Sequence, residues 1–468
     1  MMVQEQARTE KAGASKAALH LVTALMGGIY AWFLITTYAE LSTQWSYLGF
    51  WYQPPSPFLT GATIGLSALL GMFLPMHSWT IVGFAKWALY FLLFIPSVII
   101  PPQQGILPMG DLIFLLAVIW SSAAAFILLL SDGKPFAKLR LAPRTFWAGV
   151  LGVWGVGNVG IFVIFGETLN IVGLEQVYEQ RAAATTLGGA LMGYVMGTLS
   201  GAVNPFLLVA GITRRQPVLI AAGLIGQLLI YSTLAGKVVL GSTLLTIGVF
   251  FVFRNGRVMF GRIYAAVLFF AVLGPIVSVY RAGTGVFSNI SDLVYMRILA
   301  LPGVLVGVYS DFFLNYPVTY LSHSLVGRPF SEYPYGVESV GQVIGRYVTP
   351  TAAVAEINNY NANFIAADGI AGFGTLGVPL ILFLAGLWLW ISSRLIGEID
   401  RRIACAVLMP FVVSLADASL FTAILTGGGG MAALLLYLYR STEEFGKITA
   451  PTRLKAQSAG TVPGVRVR

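Results

Sequence analysis

The chain has 468 residues, of which 57% are hydrophobic and 10% charged, and a mean hydropathy of +0.80. A soluble domain is about 45–50% apolar and about 25% charged, so a soluble globular protein is excluded. The single cysteine, Cys405, rules out a disulfide framework, and three histidines (His20, His77, His323) argue against a histidine-built metal centre; no metal and no cofactor are expected.

A bilayer crossing needs about 20 apolar residues. Windows of that kind fall at 18–38, 59–76, 80–100, 111–130, 145–165, 187–212, 218–235, 238–254, 263–280, 374–393, 403–418 and 422–440. The first is longer than a signal-peptide core, and the residues after it, Thr36 to Glu40, suit cleavage poorly, so it is read as a retained anchor. The expected fold class is an all-α polytopic membrane protein of about 12 transmembrane helices. It divides into N-terminal helices (1–165), helices with an arginine-bearing outer loop (166–280), a large outer loop (281–368), C-terminal helices (369–440) and a tail (441–468).

Assigning alternate connections to alternate sides puts 22 of the 28 basic residues on one side with seven acids, and six bases with twelve acids on the other. Lysine and arginine accumulate on the cytoplasmic side of membrane proteins. The basic side and both termini are therefore expected in the cytoplasm. The formal charge of +9 is a topogenic signal, and no nucleic-acid partner is needed to explain it. Lys86, one turn inside its span, is expected to snorkel.

The loop 281–368 holds 88 residues. Its stretch from Tyr295 to Phe313 is apolar and aromatic, and is expected to lie as one or two helices at the membrane surface or as a re-entrant segment. The bases of the outer side are Arg181, Arg281, Arg297, Arg328, Arg346 and Lys237. Arginine presents a planar fork that matches phosphate oxygens two at a time, and an unpaired cation near the membrane is costly. A negatively charged partner is implied; the plainer reading pairs these arginines with the twelve outer acids.

Gly155 to Gly160 matches GxGxxG, but it lies inside an apolar span with no strand before it. Small residues at that spacing let membrane helices approach closely. Asp417 stands near the end of a span beside Ser414, Ser419 and four glycines, either as a coupling-ion or proton site or as a cap on the next helix.

Several outer segments together resemble Wzy-type oligosaccharide repeat-unit polymerases of bacteria. They are Val177-Tyr178-Glu179-Gln180-Arg181; Gly236-Lys237; Met296-Arg297-Ile298-Leu299 with Pro302-Gly303, Tyr309 and Asp311-Phe312-Phe313; and Asn361 to Gly369 followed by Phe373-Gly374-Thr375-Leu376-Gly377. Ala371-Gly372 departs from the pattern, where a polar residue is expected. The resemblance covers about half the chain, from the fifth span on. It implies a GT-C-like helical fold in the inner membrane with its active face in the periplasm. It also implies an undecaprenyl-pyrophosphate-linked glycan as substrate and a chain-length regulator protein as a partner.

In the implied reaction a sugar hydroxyl attacks the anomeric carbon of the growing chain and lipid pyrophosphate departs. Donors aimed at the departing oxygen stabilise the transition state more than the ground state. A charge-assisted hydrogen bond contributes roughly 1.5–3 kcal/mol, so two or three arginines supply on the order of 10³-fold, without a metal. The expected pyrophosphate ligands are Arg181, Arg281 and Arg297, with Lys237 as a fourth cation. Asn363 and Asp368 would position sugar hydroxyls. Asp368 and Asp311 are the first candidates for a general base, and His323 follows. Tyr178, Tyr309, Tyr316 and Tyr320 would stack on sugar rings. The alternatives are an O-antigen ligase using a loop histidine, for which only His323 is present, and a secondary transporter or lipid-linked glycan flippase.

Overall fold

The computed structural model describes residues 2–75, 80–169, 188–189, 191–234, 237–253, 292–349 and 360–442, with side chains from residue 17 onward except at 234, 237–238 and 292–294. The described residues are helical throughout, apart from connections and one isolated bridge between Leu141 and Thr442. Among the described residues eight helices are long and apolar enough to cross a membrane, and the protein is a multi-pass α-helical membrane protein. In chain order, α1 is Met2–Trp45, α2 Pro57–Met72, α3 Ile81–Gln104, α4 Met109–Leu129 and α5 Pro143–Phe165. Then come α6 (Leu191–Arg214), α7 (Pro217–Leu234), α8 (Lys237–Val252), α9 (Asp292–Asn315, whose first nine residues are π-helical) and α10 (Val340–Val348). Last are α11 (Gly377–Ile396), α12 (Arg401–Ser414), α13 (Leu420–Leu425) and α14 (Gly429–Arg440).

Seven of the eight long helices fall on the expected windows, α13 and α14 together counting as one. The eighth is Tyr295–Asn315, inside the stretch assigned to the large outer loop. Three windows are occupied by the shorter apolar helices Pro57–Met72, Pro217–Thr233 and Val239–Val252, and a fourth by α12, of 14 residues. The window 263–280 lies outside the described residues.

Helix boundaries follow local chemistry. Proline opens α2, α5 and α7, where its missing N–H costs nothing. Ser56 accepts from Leu59 N ahead of α2, and Asp400 from Arg402 N ahead of α12. Ser339 and Gln342 form a reciprocal capping box at α10.

One end of the bundle collects the basic connections. Arg394 lies over the rings of Phe136 (4.1 Å) and Trp390 (4.5 Å), and its Nε donates to Lys134 O at 2.9 Å. Arg440 is buried and donates from Nη1 to Leu395 O at 3.1 Å, satisfying a carbonyl at the end of α11. Lys86 does not snorkel: it is buried, and Nζ donates to Leu130 O at the end of α4. Spare carbonyls at a helix C-terminus carry partial negative charge, so the lysine is held there without leaving the bundle.

The opposite end is tied by Gln104, whose Nε2 donates to Gly49 O and Val304 O, both at 3.2 Å. There Gly303 faces Pro96 O and Gly307 faces Gln104 Oε1, so α9 sits directly on the backbone of α3. At its start, the Tyr295 ring meets Phe33 of α1 at 5.6 Å. From Pro302 to Ser310 every side chain of α9 is buried. A surface-lying amphipathic helix is therefore corrected: α9 is a central element, because glycines on its contact face allow approach at backbone distance.

Gly157 packs on Leu199 and Gly160 on the methyl of Met192, which makes the GxGxxG run a helix-packing surface between α5 and α6. A Cβ on Gly197 would run into the carbonyl oxygen of Thr426, and one on Gly201 into that of Gly427. These glycines seat the interrupted segment between α12 and α14. Gly197→Ala should destabilise the protein by about 1–3 kcal/mol, the usual cost of overpacking; thermal unfolding in detergent measures it, and an unchanged midpoint would show that the segment yields.

Candidate functional site

π-Helical turns occupy well under 1% of residues in globular proteins and recur at functional sites. Four lie among the described residues, at Tyr90–Phe94, Leu199–Val203, Asp292–Ala300 and Ile365–Ile370. Three of them meet the interrupted segment that runs from α12 to α14. Leu199–Val203 receives Gly427 and Gly428, Asp292–Ala300 carries Arg297, and Ile365–Ile370 carries Asp368.

Asp368 is fully buried. A carboxylate there is tolerable only with several donors, and it has three. Leu420 N donates to Oδ2 at 2.6 Å, Ser419 Oγ to Oδ1 at 2.8 Å, and His323 Nε2 lies 3.3 Å from Oδ1. The carboxylate thus faces the N-terminus of α13, with which it interacts favourably. His323 Nδ1 lies 2.8 Å from Thr319 Oγ1, and Thr319 N donates to Ala371 O at 2.8 Å. Three separated stretches, residues 319–323, 368–371 and 419–420, are joined in one polar network.

Asp417 is partly exposed and does not cap α13; Ser419 and Asp368 do. It lies within electrostatic reach of Arg297. Arg297 itself is partly buried, its Nε has no hydrogen-bond partner, and among the described residues no carboxylate is within ion-pair distance of it. By helix rise, Arg297 sits about 16 Å along α9 below Val308, which meets Gly49. A cation in that position is costly unless an anion or water reaches it.

The remaining outer bases are placed differently. Arg346 pairs with Glu338 on the surface, and Arg328 is exposed. Tyr178, Arg181 and Arg281 lie outside the described residues, and of Lys237 only the helical backbone is described.

Several expected sugar contacts are corrected by burial. Tyr309 is buried and its hydroxyl donates to Tyr360 O at 2.7 Å, so its ring has no face for a sugar. Asn363 is buried, donates from Nδ2 to Pro302 O and accepts from Ala366 N, so its amide braces the π-turn against α9. Asp368 is fully buried and its carboxylate is engaged by Leu420 N, Ser419 and His323, which argues against a base in direct contact with a substrate. Asp311 accepts from the Tyr347 hydroxyl at 2.6 Å. Burial, and then that hydrogen bond, push the Tyr347 phenol up to about 12, so it remains a donor. Tyr316 and Tyr320 are exposed; Tyr316 stacks on Phe312 at 4.4 Å, and Tyr320 meets Phe373 edge-on. Both nitrogens of His323 are engaged within the protein, and none is left over for a substrate hydroxyl.

Thr319 and Tyr347 escaped the sequence reading because nothing in the local pattern marks them. Ser419 carried a signal, a serine directly before an apolar run, which marks a helix start. No family model, no curated protein and no solved structure matches the chain.

Proposed function

We propose that the protein is a polymerase of undecaprenyl-pyrophosphate-linked oligosaccharide repeat units, a metal-independent glycosyltransferase of GT-C-like arrangement. It transfers the growing glycan to the next lipid-linked unit on the periplasmic side of the bacterial inner membrane. The observation that carries this reading is Arg297, a guanidinium inside an apolar bundle with no ion-pairing carboxylate among the described residues. An embedded cation of that kind calls for an anion, and the diphosphate of a lipid carrier is one that the bilayer presents. The resemblance of the segments around Arg297 and Asp368 to Wzy-type polymerases supports the same substrate.

In this mechanism Arg297, with Arg181 and Arg281, neutralises charge that grows on the bridging oxygen as the glycosidic bond breaks. The Asp368–Ser419–His323 network fixes the break before α13 against α9, and so sets where Asp417 and Arg297 face each other. Pyrophosphate is a good leaving group, which fits a site where Asp311, Asp368 and His323 are held by protein partners.

Cells lacking the protein should accumulate lipid-linked single repeat units and lose long chains, as read by mass separation of lipid-linked intermediates. Normal chain lengths with no single-unit build-up would overturn the proposal.

A second reading is favoured by one feature. Interrupted helices bearing a carboxylate, as α12–α13–α14 with Asp417, are the way secondary transporters build their sites. Purified protein in liposomes that moves lipid-linked glycan across the bilayer without lengthening it would establish that reading instead.

A further inference from the structure

We infer that the turn-rich segment 319–330 is an interfacial anchor that sinks its apolar tip among the lipid chains of the outer leaflet. The segment follows α9 as a series of tight turns. Ser322 N donates to Thr319 O, Ser324 N to Leu321 O, Arg328 N to Ser324 O and Phe330 N to Gly327 O. Side chains complete the pattern, with Ser324 Oγ donating to Leu321 O and Ser331 Oγ to Thr319 O.

The apolar side chains at its tip are exposed. Phe330 is 85% exposed, Leu325 57% and Val326 45%. Three apolar tips within six residues form a patch of the kind that marks a contact surface. What covers it follows from its neighbours. The segment is pinned to the outer end of α11 by Thr319 N and Tyr320 N donating to Ala371 O and Gly372 O, and by Leu321 packed over Gly372. Immediately beyond, Leu376 (66% exposed) and Phe383 (67% exposed) belong to the apolar outer face of a bilayer-crossing helix. The patch continues that lipid-facing surface past the helix end. Arg328, exposed between Val326 and Phe330, stands where an arginine reaches lipid phosphates while its neighbours reach the chains.

The inference does not depend on which reaction the protein performs. Cys405 is the only cysteine and is buried, so an introduced cysteine is labelled selectively. Full-length Phe330→Cys carrying a nitrobenzoxadiazole label is placed in phosphatidylethanolamine–phosphatidylglycerol vesicles. Ala137→Cys, in an exposed connection at the basic end, serves as the water-facing comparison. Lipids with a nitroxide near the glycerol end of the chain should quench the label at 330 at least twofold more than that at 137. Iodide should quench it at least twofold less. Val326→Cys should repeat both results from the other side of the turn. Equal quenching of 330 and 137 by both agents would overturn the inference.

Discussion

Arg297→Lys should cut polymerisation by about 10- to 100-fold while the protein accumulates and unfolds as the parent does. A guanidinium delivers two parallel hydrogen bonds to a phosphate, and an ammonium is a point charge on a flexible stem. Losing one charge-assisted bond of roughly 1.5–3 kcal/mol corresponds to one to two decades of rate. Arg297→Met should reduce the rate further. The two roles available to Arg297 diverge in stability. Were it a brace for Asp417, removing it would leave a partly buried carboxylate alone and lower the melting temperature, and Asp417→Asn added to it would restore stability. As a ligand for substrate phosphate, it is itself the expensive group, with an Nε and a charge that no group among the described residues pairs. Removing it then leaves the melting temperature unchanged or higher, the usual exchange of stability for function. Chain-length profiles of cells making each variant, read beside thermal unfolding of the purified proteins, separate the two. Unchanged chain length, or loss of activity in step with loss of folded protein, would remove Arg297 from the site.

The contrast between Arg297 and its fellow cations shows what sequence could and could not tell. Apolar windows marked seven of the eight long helices because bilayer crossing is a matter of length and composition. The gathering of Arg394, Arg440 and Lys86 at one end follows the charge bias, which is a sum over many residues and tolerates local error. The burial of α9 is not legible in its overall composition, because the polar and aromatic residues around it suit a helix at the membrane surface equally well. The signal for burial was present in Gly303 and Gly307, a small-residue pair at a four-residue spacing that meets Pro96 O and Gln104. Asn363 and Tyr309 were read as facing a sugar because side-chain chemistry is visible in sequence and burial is not. Arg297 stands out in the sequence itself, because arginine beside membrane-embedded residues has few neutral explanations. The network around Asp368 joins residues 51 and 52 positions apart on one side and 45 on the other. No spacing rule reaches across such intervals; only folding brings them together.

That network predicts the second large effect. Asp368→Ala should lower stability by about 3–5 kcal/mol, the cost of breaking a buried charged contact by removing one partner, and abolish activity with it. Three donors lose their acceptor at once: the Ser419 hydroxyl, the Leu420 amide at the start of α13, and His323. The interrupted segment is then free to shift, and with it the placing of Asp417 against Arg297. Asp368→Asn keeps one acceptor oxygen but points an amide at a donor, and should fall between the two. His323→Ala removes only the longest of the three contacts, at 3.3 Å, and should cost less stability than Asp368→Ala. If His323 serves only to hold the 319–330 turn on the π-helical turn, His323→Gln, which keeps a donor, should retain most of the activity, and Thr319→Val should behave like His323→Ala. If instead His323→Ala and His323→Gln both abolished transfer in a purified assay while Asp368→Ala did not, the histidine would be acting as a base on its own. That result would favour an O-antigen ligase, which uses the same donor but a different acceptor. An Asp368→Ala protein as stable and as active as the parent would dissolve the network as an explanation for how the site is held.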